Sequence, residues 1–277
     1  DGVDDAVFQE DRGDERHLIV VFGPFGAAAE AATDIQVTGG RTLVAADVAD
    51  MNGDGQAELI VAGVSSDMRA LAVSVIDFDL LVDGAGKLPK SFFVGLDRAP
   101  YAWSHAIDRS TIGVDPPRLA VRAADMDGDG GLDLVLGIDP PSPAATNRRD
   151  RNAVAPEGGA AAVSQVVVQL VPRGFFSLRP PGGEGVSTIA WPLKRLTPAA
   201  GSTVAVNGLG ACAGGSGLAG VADVTGDGAN DIVVRRCEGG ALPDQLGLVA
   251  GRAAWPPSLE IDGAIRPMTP PEPPGPG

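Results

Sequence analysis

Short runs of apolar and β-branched residues recur along the chain, separated by segments rich in Gly, Pro and Asp. Such runs are typical of β-strands bounded by turns, because β-branched side chains fit a pleated surface and Gly and Pro end it. No segment shows a sustained helical period, so the sequence predicts an all-β fold. The predicted strands lie within residues 17–25, 34–38, 43–46, 70–78, 91–94, 119–122, 164–172, 188–193, 203–207 and 246–250.

Three stretches interrupt this rhythm. Residues 95–117 and 139–162 are too long and too rich in turn-forming residues for tight connections, so we predict two long loops there. Residues 264–277 form a Pro/Gly-rich tail that cannot pack and is predicted to be disordered.

One segment occurs three times, at residues 48–61, 123–136 and 221–234. Each copy has an apolar pair, an acidic loop with two glycines, and a second apolar run, so a repeated supersecondary unit is expected. Residues 1–7 match the second half of the same frame, which places Asp1 and Asp5 at the positions of Asp54 and Glu58. We therefore expect a first unit truncated at its N-terminus, with an incomplete loop.

The acidic loops carry side-chain oxygens at relative positions 1, 3, 5 and 9, and a backbone carbonyl at position 7. Gly lets such a loop curl around one point, and several hard oxygen ligands in a flexible loop favour Ca²⁺ over Mg²⁺ or softer metals. The sequence therefore predicts three calcium sites. Their expected ligands are Asp50, Asn52, Asp54, Gln56 and Glu58; Asp125, Asp127, Asp129, Gly131 and Asp133; and Asp223, Thr225, Asp227, Ala229 and Asp231.

The loops differ from an EF-hand at relative position 12. An EF-hand needs a bidentate Glu there, whereas these copies have Val61, Leu136 and Val234 within strand-like runs. Strand–loop–strand units without that Glu should bind calcium in the extracellular range of about 10⁻⁴ to 10⁻³ M. The hydroxyl of Thr225 replaces a carboxylate or amide, so we expect the third loop to bind most weakly.

The net charge of the chain limits the kinds of partner that it is expected to bind. Lys and Arg total 21 against 36 Asp and Glu, a net charge of −15, which argues against nucleic acid because that ligand needs a clustered basic face. No apolar run reaches the length of about 18 residues that a membrane-spanning helix needs. Protein or glycan ligands, cations and other subunits remain as expected partners.

The two cysteines, Cys212 and Cys237, flank the third acidic loop. A disulfide between them would staple the hairpin around that loop and would indicate an oxidising compartment. The other interpretation is two separate buried thiols, and the spacing alone leaves both open.

The acidic loops, followed by strands that end in Gly at 59–63 and 134–137 and by a strand ending in Phe-Gly-Pro at 20–24, resemble the FG-GAP repeats of integrin α-subunit propellers and their bacterial relatives. The resemblance covers residues 1–263. It implies a β-propeller of four-stranded antiparallel blades, commonly seven-bladed, with calcium serving rigidity. About four blades' worth is present, so the chain is expected either to belong to a larger propeller or to close as four blades.

The same resemblance implies secretion, surface display or a periplasmic location, and adhesion. No acid–base or nucleophilic set stands out beyond the metal loops, so we expect no enzyme activity. Tyr101 and Trp103 could form a stacking platform for a protein or glycan, although partial burial explains them as well. The leading hypothesis is a calcium-stabilised binding module; a structural scaffold or appendage subunit is the alternative, and a polysaccharide-active enzyme comes third.

Overall fold

A computed structural model describes the greater part of the chain. Within that part the chain forms β-strands joined by turns and contains no α-helix, which confirms the all-β prediction. None of its elements is a helix long and apolar enough to cross a membrane. The described residues are 6–12, 15–22, 32–38, 45–64, 70–78, 88–96, 101–106, 117–139, 164–175, 194–195, 202–209, 217–236, 245–261 and 266–267.

The strands are short, as the spacing of the apolar runs predicts. In chain order they are Ala6–Arg12 (β1), Glu15–Val21 (β2), Ala32–Thr38 (β3), Ala45–Ala49 (β4), Glu58–Val64 (β5), Ala70–Ile76 (β6), Ser91–Gly95 (β7), Tyr101–Ala106 (β8), Arg118–Ala124 (β9), Asp133–Asp139 (β10), Gln165–Gln169 (β11), Lys194–Arg195 (β12), Thr203–Asn207 (β13), Leu218–Ala222 (β14), Asp231–Arg236 (β15), Gln245–Val249 (β16), Ser258–Glu260 (β17) and Arg266–Pro267 (β18).

The prediction of one long loop at 95–117 is wrong at its centre. Strand β8 lies there and pairs antiparallel with β6, so that Tyr101 is opposite Val75 and Trp103 is opposite Val73. Backbone hydrogen bonds with a strongly apolar neighbour supply the order that the local sequence does not signal. The predicted strand at 188–193 and almost all of the predicted loop at 139–162 lie outside the described residues.

The chain divides into two compact units. One contains residues 1–109, 119–123 and 171–198, and the other contains residues 110–118, 124–170 and 199–277. The first unit holds a sheet of order β1-β2-β3-β7 and a sheet of order β12-β8-β6-β5-β4. In the second unit, β17, β13, β11 and β10 are neighbours in that order in one sheet, and β14, β15, β16 and β18 form another.

The sheets share one plan that goes beyond the predicted four-stranded antiparallel blade. Antiparallel strands follow one another across each sheet, and a further strand lies parallel to the last of them in three of the described sheets. The parallel pairs are β3 with β7, β8 with β12, and β13 with β17. Each added strand comes from the connection that leads into the fourth strand of the next repeat. Successive repeats are therefore interlocked through main-chain hydrogen bonds.

The strands that follow the first two acidic loops are the most deeply buried in the described parts of their sheets. Every residue of β5 and of β10 is buried, so these strands are covered on both faces and read as continuous apolar runs. In the first unit the two sheets pack through side chains such as Leu18, Ile35, Leu59 and Val61. The acidic loops thus begin at a sheet end and lead directly into the core.

Candidate metal centres

The three acidic loops occupy the same structural position: they connect β4 to β5, β9 to β10, and β14 to β15. We name them loop 1 (residues 50–58), loop 2 (residues 125–133) and loop 3 (residues 223–231). Loops 1 and 3 join antiparallel neighbours whose registers pair Ala49 with Glu58 and Ala222 with Asp231. Each loop therefore starts and ends at one point of its sheet, and its polar side chains converge there.

Glycine makes the tight winding of these loops possible. Gly at relative positions 4 and 6 has a positive φ in every loop, between 74° and 92°, which side chains with a Cβ rarely adopt. The six residues are Gly53, Gly55, Gly128, Gly130, Gly226 and Gly228. The repeated conformation shows that the three sequence copies are structural copies as well.

The carboxylate at position 1 is the hub of each loop. In loop 2, the N–H of Gly128 donates to Oδ1 of Asp125 at 2.7 Å, and the N–H of Gly130 donates to Oδ2 at 2.9 Å. The equivalent pairs are Gly53 and Gly55 with Asp50, and Gly226 and Gly228 with Asp223, at distances from 2.6 to 3.1 Å. These bonds fix the first carboxylate toward the inside of the turn.

The carboxylate at position 9 closes each loop from the core side. Glu58, Asp133 and Asp231 are 3%, 1% and 0% exposed. Each accepts a backbone N–H from position 2, at 2.6 Å from Met51, 2.8 Å from Met126 and 2.8 Å from Val224. This bond fixes the position of the buried carboxylate at the base of the loop.

Loop 2 brings its acids closest together. Oxygen atoms of Asp125, Asp127 and Asp133 all lie within 4.8 Å of one another. Three carboxylates at this separation repel one another unless a cation lies between them. All the donors are oxygens, so the set fits a hard cation such as Ca²⁺ and does not fit the sulfur and nitrogen sites of zinc.

One carboxyl group in loop 1 and one in loop 2 have a raised pKa. Burial raises the pKa of Glu58 to about 7; the hydrogen bond from Met51 opposes this, and the charges of Asp77, Asp54 and Asp50 add to it. Burial also raises the pKa of Asp127, again with neighbouring carboxylates adding to the effect. Burial and the neighbouring carboxylates therefore both disfavour the ionised form of Glu58 and of Asp127.

Loops 1 and 3 are arranged differently from loop 2. In loop 1 the amide of Asn52 donates to Asp54 at 3.1 Å and to Glu58 at 3.0 Å, while its oxygen accepts the N–H of Asp54. In loop 3 the buried Asp231 accepts bonds from Val224, Thr225 and Gly251. The order of calcium affinity among the three loops stays a prediction.

The expected carbonyl ligands at position 7 are Gln56, Gly131 and Ala229. The N–H of each donates to the carboxylate at position 5, with distances of 2.8, 2.6 and 3.0 Å. This bond orders the second half of each loop. Their metal contacts stay a prediction.

Sequence reasoning missed residues that support loop 2. Asn230, at position 8 of loop 3, donates from both its backbone and its side-chain nitrogen to the carbonyl oxygen of Asp125. The indole N–H of the buried Trp255 donates to the carbonyl oxygen of Met126 at 3.0 Å. A signal existed for Asn230, because position 8 carries an amide only in the third copy; Ala57 and Leu132 occupy it in the others.

The structure says little or nothing about the other candidate residues. Tyr101 and Trp103 are described as strand residues only, so their role as a stacking platform stays a prediction. Cys212 and Cys237 lie outside the described residues, as do Asp1 and Asp5 of the truncated copy. The disulfide and the incomplete loop are therefore predictions too.

Comparison with known proteins adds no family to this picture. No protein-family model matches the chain, and no curated protein matches its sequence. The acidic loops and their repeated geometry therefore carry the functional argument.

Proposed function

We propose that the chain is a calcium-stabilised β-propeller module of the FG-GAP type that binds a protein or glycan partner without catalysis. Its place is the cell surface, the extracellular space or the periplasm. The observation that carries this proposal is the threefold repetition of one loop geometry. In each loop, two left-handed glycines wrap the backbone around the first Asp, and a buried acid closes the loop from below.

Calcium is the cation that this donor set favours. Each loop offers carboxylate, amide or hydroxyl oxygens at four positions and a carbonyl at a fifth, in a turn exposed to solvent. Ca²⁺ accepts six to eight oxygens in flexible geometry, whereas Mg²⁺ needs near-ideal octahedral coordination. When bound, the ion would neutralise the crowded carboxylates and fix the loop against its sheet.

The sheet plan supports a propeller. The described sheets repeat the same succession of antiparallel strands, and three receive a parallel strand from the following repeat. Radial repetition of such sheets is the principle of a propeller, which leaves only short edges open. Stiffening one loop in each repeat is a sensible use of calcium in such an array, because each repeat is stabilised mainly by its neighbours.

A binding role fits better than an enzymatic one. In the described residues, the clustered acids are the loop carboxylates, and these are held by backbone N–H groups of their own loops. A general acid or base must instead face a substrate. The loops are therefore suited to hold an ion, and the partner must contact another part of the surface.

Thermal unfolding with calcium, with magnesium and with excess chelator tests the metal part of the proposal. A ligand that binds only the native state at 100 times its Kd stabilises it by about 2.7 kcal/mol, so millimolar calcium should raise Tm by several degrees. A triple variant, Asp54→Asn, Asp129→Asn and Asp227→Asn, is the matched control and should lose the rise. The same Tm in calcium and chelator, with no bound metal, would overturn the calcium assignment.

The partner is tested on a glycan array and a panel of extracellular-matrix proteins, with calcium present. The expected result is binding that chelator abolishes and that Tyr101→Ala or Trp103→Ala weakens without lowering Tm. Binding unaffected by both substitutions would place the partner elsewhere. The absence of any binding on both panels would favour the scaffold role.

A further inference from the structure

Loops 2 and 3 are joined directly by Asn230. Its backbone N–H donates to the carbonyl oxygen of Asp125 at 2.7 Å, and its side-chain Nδ2 donates to the same oxygen at 3.2 Å. Asp125 is the hub of loop 2, and Asn230 stands between the last two expected ligands of loop 3, Ala229 and Asp231. One residue therefore connects the backbone of both loops.

A second connection runs through the chain after β16. The N–H of Gly251 donates to Oδ1 of Asp231 at 2.9 Å, which ties this segment to the buried acid of loop 3. The N–H of Arg252 then donates to the carbonyl oxygen of Met126 at 3.1 Å, and Trp255 donates to the same oxygen. Residues 251–255 thus contact loop 3 at one end and loop 2 at the other.

Close packing leaves little freedom between the two loops. A Cβ at Gly251 would lie 2.3 Å from the carbonyl oxygen of Asn230 and 2.9 Å from Cβ of Ala229. A Cβ at Gly128 would lie 3.8 Å from Cβ of Ala229. Residue 251 thus packs tightly against loop 3, and Gly128 of loop 2 lies beside Ala229 of loop 3, so a shift of one loop has a direct path to the other.

We propose that Asn230 is a positioning residue that couples the metal sites of loops 2 and 3, so that calcium in one loop raises the calcium affinity of the other. This inference rests on the proposed function, since it requires both loops to bind calcium. The first ion restricts the motion of Asp125 or of residues 229–231. The hydrogen bonds of Asn230 then restrict the motion of the other loop as well. The second ion then loses less conformational entropy on binding, which is positive cooperativity.

Isothermal titration calorimetry of the full chain tests the coupling. Every protein carries Asp54→Ala, which removes a ligand oxygen from loop 1; the N–H of the exposed Gln56 then bonds to water instead of Asp54. One protein has loops 2 and 3 intact, one adds Asp129→Ala and one adds Asp227→Ala. We expect the product of the two stepwise association constants in the two-loop protein to exceed the product of the single-loop constants by at least about fivefold, the lower range of typical couplings.

Asn230→Ala tests the route of the coupling. It removes the Nδ2 bond and keeps both ligand sets, so both ions should still bind while the excess falls severalfold. Asn207→Ala is the matched control, because that amide bonds to Gln165 and Glu260 on neighbouring strands, and it should leave the excess unchanged. If the substitution acted only on stability, it would lower Tm in chelator and leave the ratio of the two-loop product to the single-loop product unchanged.

The outcomes separate the two proposals. If both loops bind calcium and the two-loop constants equal those expected from the single-loop proteins, the coupling is overturned and the calcium assignment stands. An excess that survives Asn230→Ala overturns the assignment of the coupling to the Asn230 side chain, because only the backbone bond to Asp125 remains in that variant. If no protein in the series binds calcium, the proposed function itself fails.

Discussion

Met126 and Asp133 are joined by a hydrogen bond of 2.8 Å from the backbone N–H of the former to a buried carboxylate oxygen of the latter. The same bond joins the second and ninth residues of the other two loops. The ninth residue therefore closes the loop, and under the proposed function it would also offer an oxygen to the ion.

This double duty predicts that Asp133→Ala lowers stability even in excess chelator. The buried N–H of Met126 loses its acceptor, which costs about 1–3 kcal/mol. The measurement is urea unfolding in chelator and again in millimolar calcium. Asp129→Asn is the comparison, because Asp129 is exposed and should affect only the calcium-dependent part. Equal stability of Asp133→Ala and the parent in chelator would contradict the closing role.

The contact between residue 251 and loop 3 predicts an effect of a single methyl group. Gly251→Ala places Cβ against the carbonyl oxygen of Asn230, where only backbone movement can make room, and overpacking of this kind costs about 1–3 kcal/mol. Gly220→Ala is the matched control, since its Cβ meets nothing within 4 Å. Thermal unfolding should show a clear loss for the first and little change for the second. Similar unfolding midpoints for the two variants would mean that the backbone of loop 3 can move to accommodate the added methyl group.

The loops were the most predictable part of the molecule. Alternating acids and paired glycines leave few conformations, so the tight turn predicted for residues 50–58, 125–133 and 223–231 is seen in the structure. Their neighbours were not predictable in this way. The two bonds from Asn230 join residues 105 positions apart, and no local pattern encodes a contact over that distance.

Strand pairing shows the same limit. The apolar run at 70–78 contains β6, and the alternating pattern of β3 matches its buried and partly buried positions, as period-2 reasoning expects. Strand β8 has a weaker pattern of apolar residues, and it is extended because its backbone pairs with the edge of β6. The parallel strands β7, β12 and β17 join sheets other than those of their sequence neighbours, and only the tertiary structure decides which edge they take.

The parallel addition of β7 leads to a prediction about Ser74. This residue is fully buried, and its hydroxyl donates to the carbonyl oxygen of Leu96, just after β7, at 2.8 Å. Ser74→Ala should lower stability by about 1–2 kcal/mol, because the buried carbonyl loses a partner. It should also speed hydrogen exchange in β7 more than in β5. Ser91→Ala, at an exposed position of β7, should change neither, and unaltered exchange in Ser74→Ala would show that β7 is held by its backbone bonds to β3 alone.

Asp34 gives a prediction for the dependence of stability on pH. Partial burial opposes its ionisation, but hydrogen bonds from His17 and Arg12, at 2.7 and 2.8 Å, lower its pKa below the usual value. A carboxyl whose pKa is lower in the folded chain adds stability that is present above its unfolded pKa of about 3.9 and is lost as the pH falls through the folded value. Asp34→Asn should therefore be less stable than the parent at pH 7 by about 1 kcal/mol, the net value of a typical hydrogen bond.

The difference between the two proteins should shrink as the pH falls below about 4, because the unfolded parent takes up a proton at Asp34 there while the folded parent does so only at lower pH. The measurement is urea unfolding at several pH values between 3 and 7, in chelator so that the metal loops do not contribute. Glu10→Gln is the matched control, because Glu10 is exposed and shares Arg12 with Asp34. Arg12 lowers the pKa of Glu10 as well, but this ion pair is exposed, so Glu10→Gln should lose much less stability than Asp34→Asn. A difference for Asp34→Asn that stays constant down to pH 3 would show that shape, and not charge, holds Asp34 between His17 and Arg12.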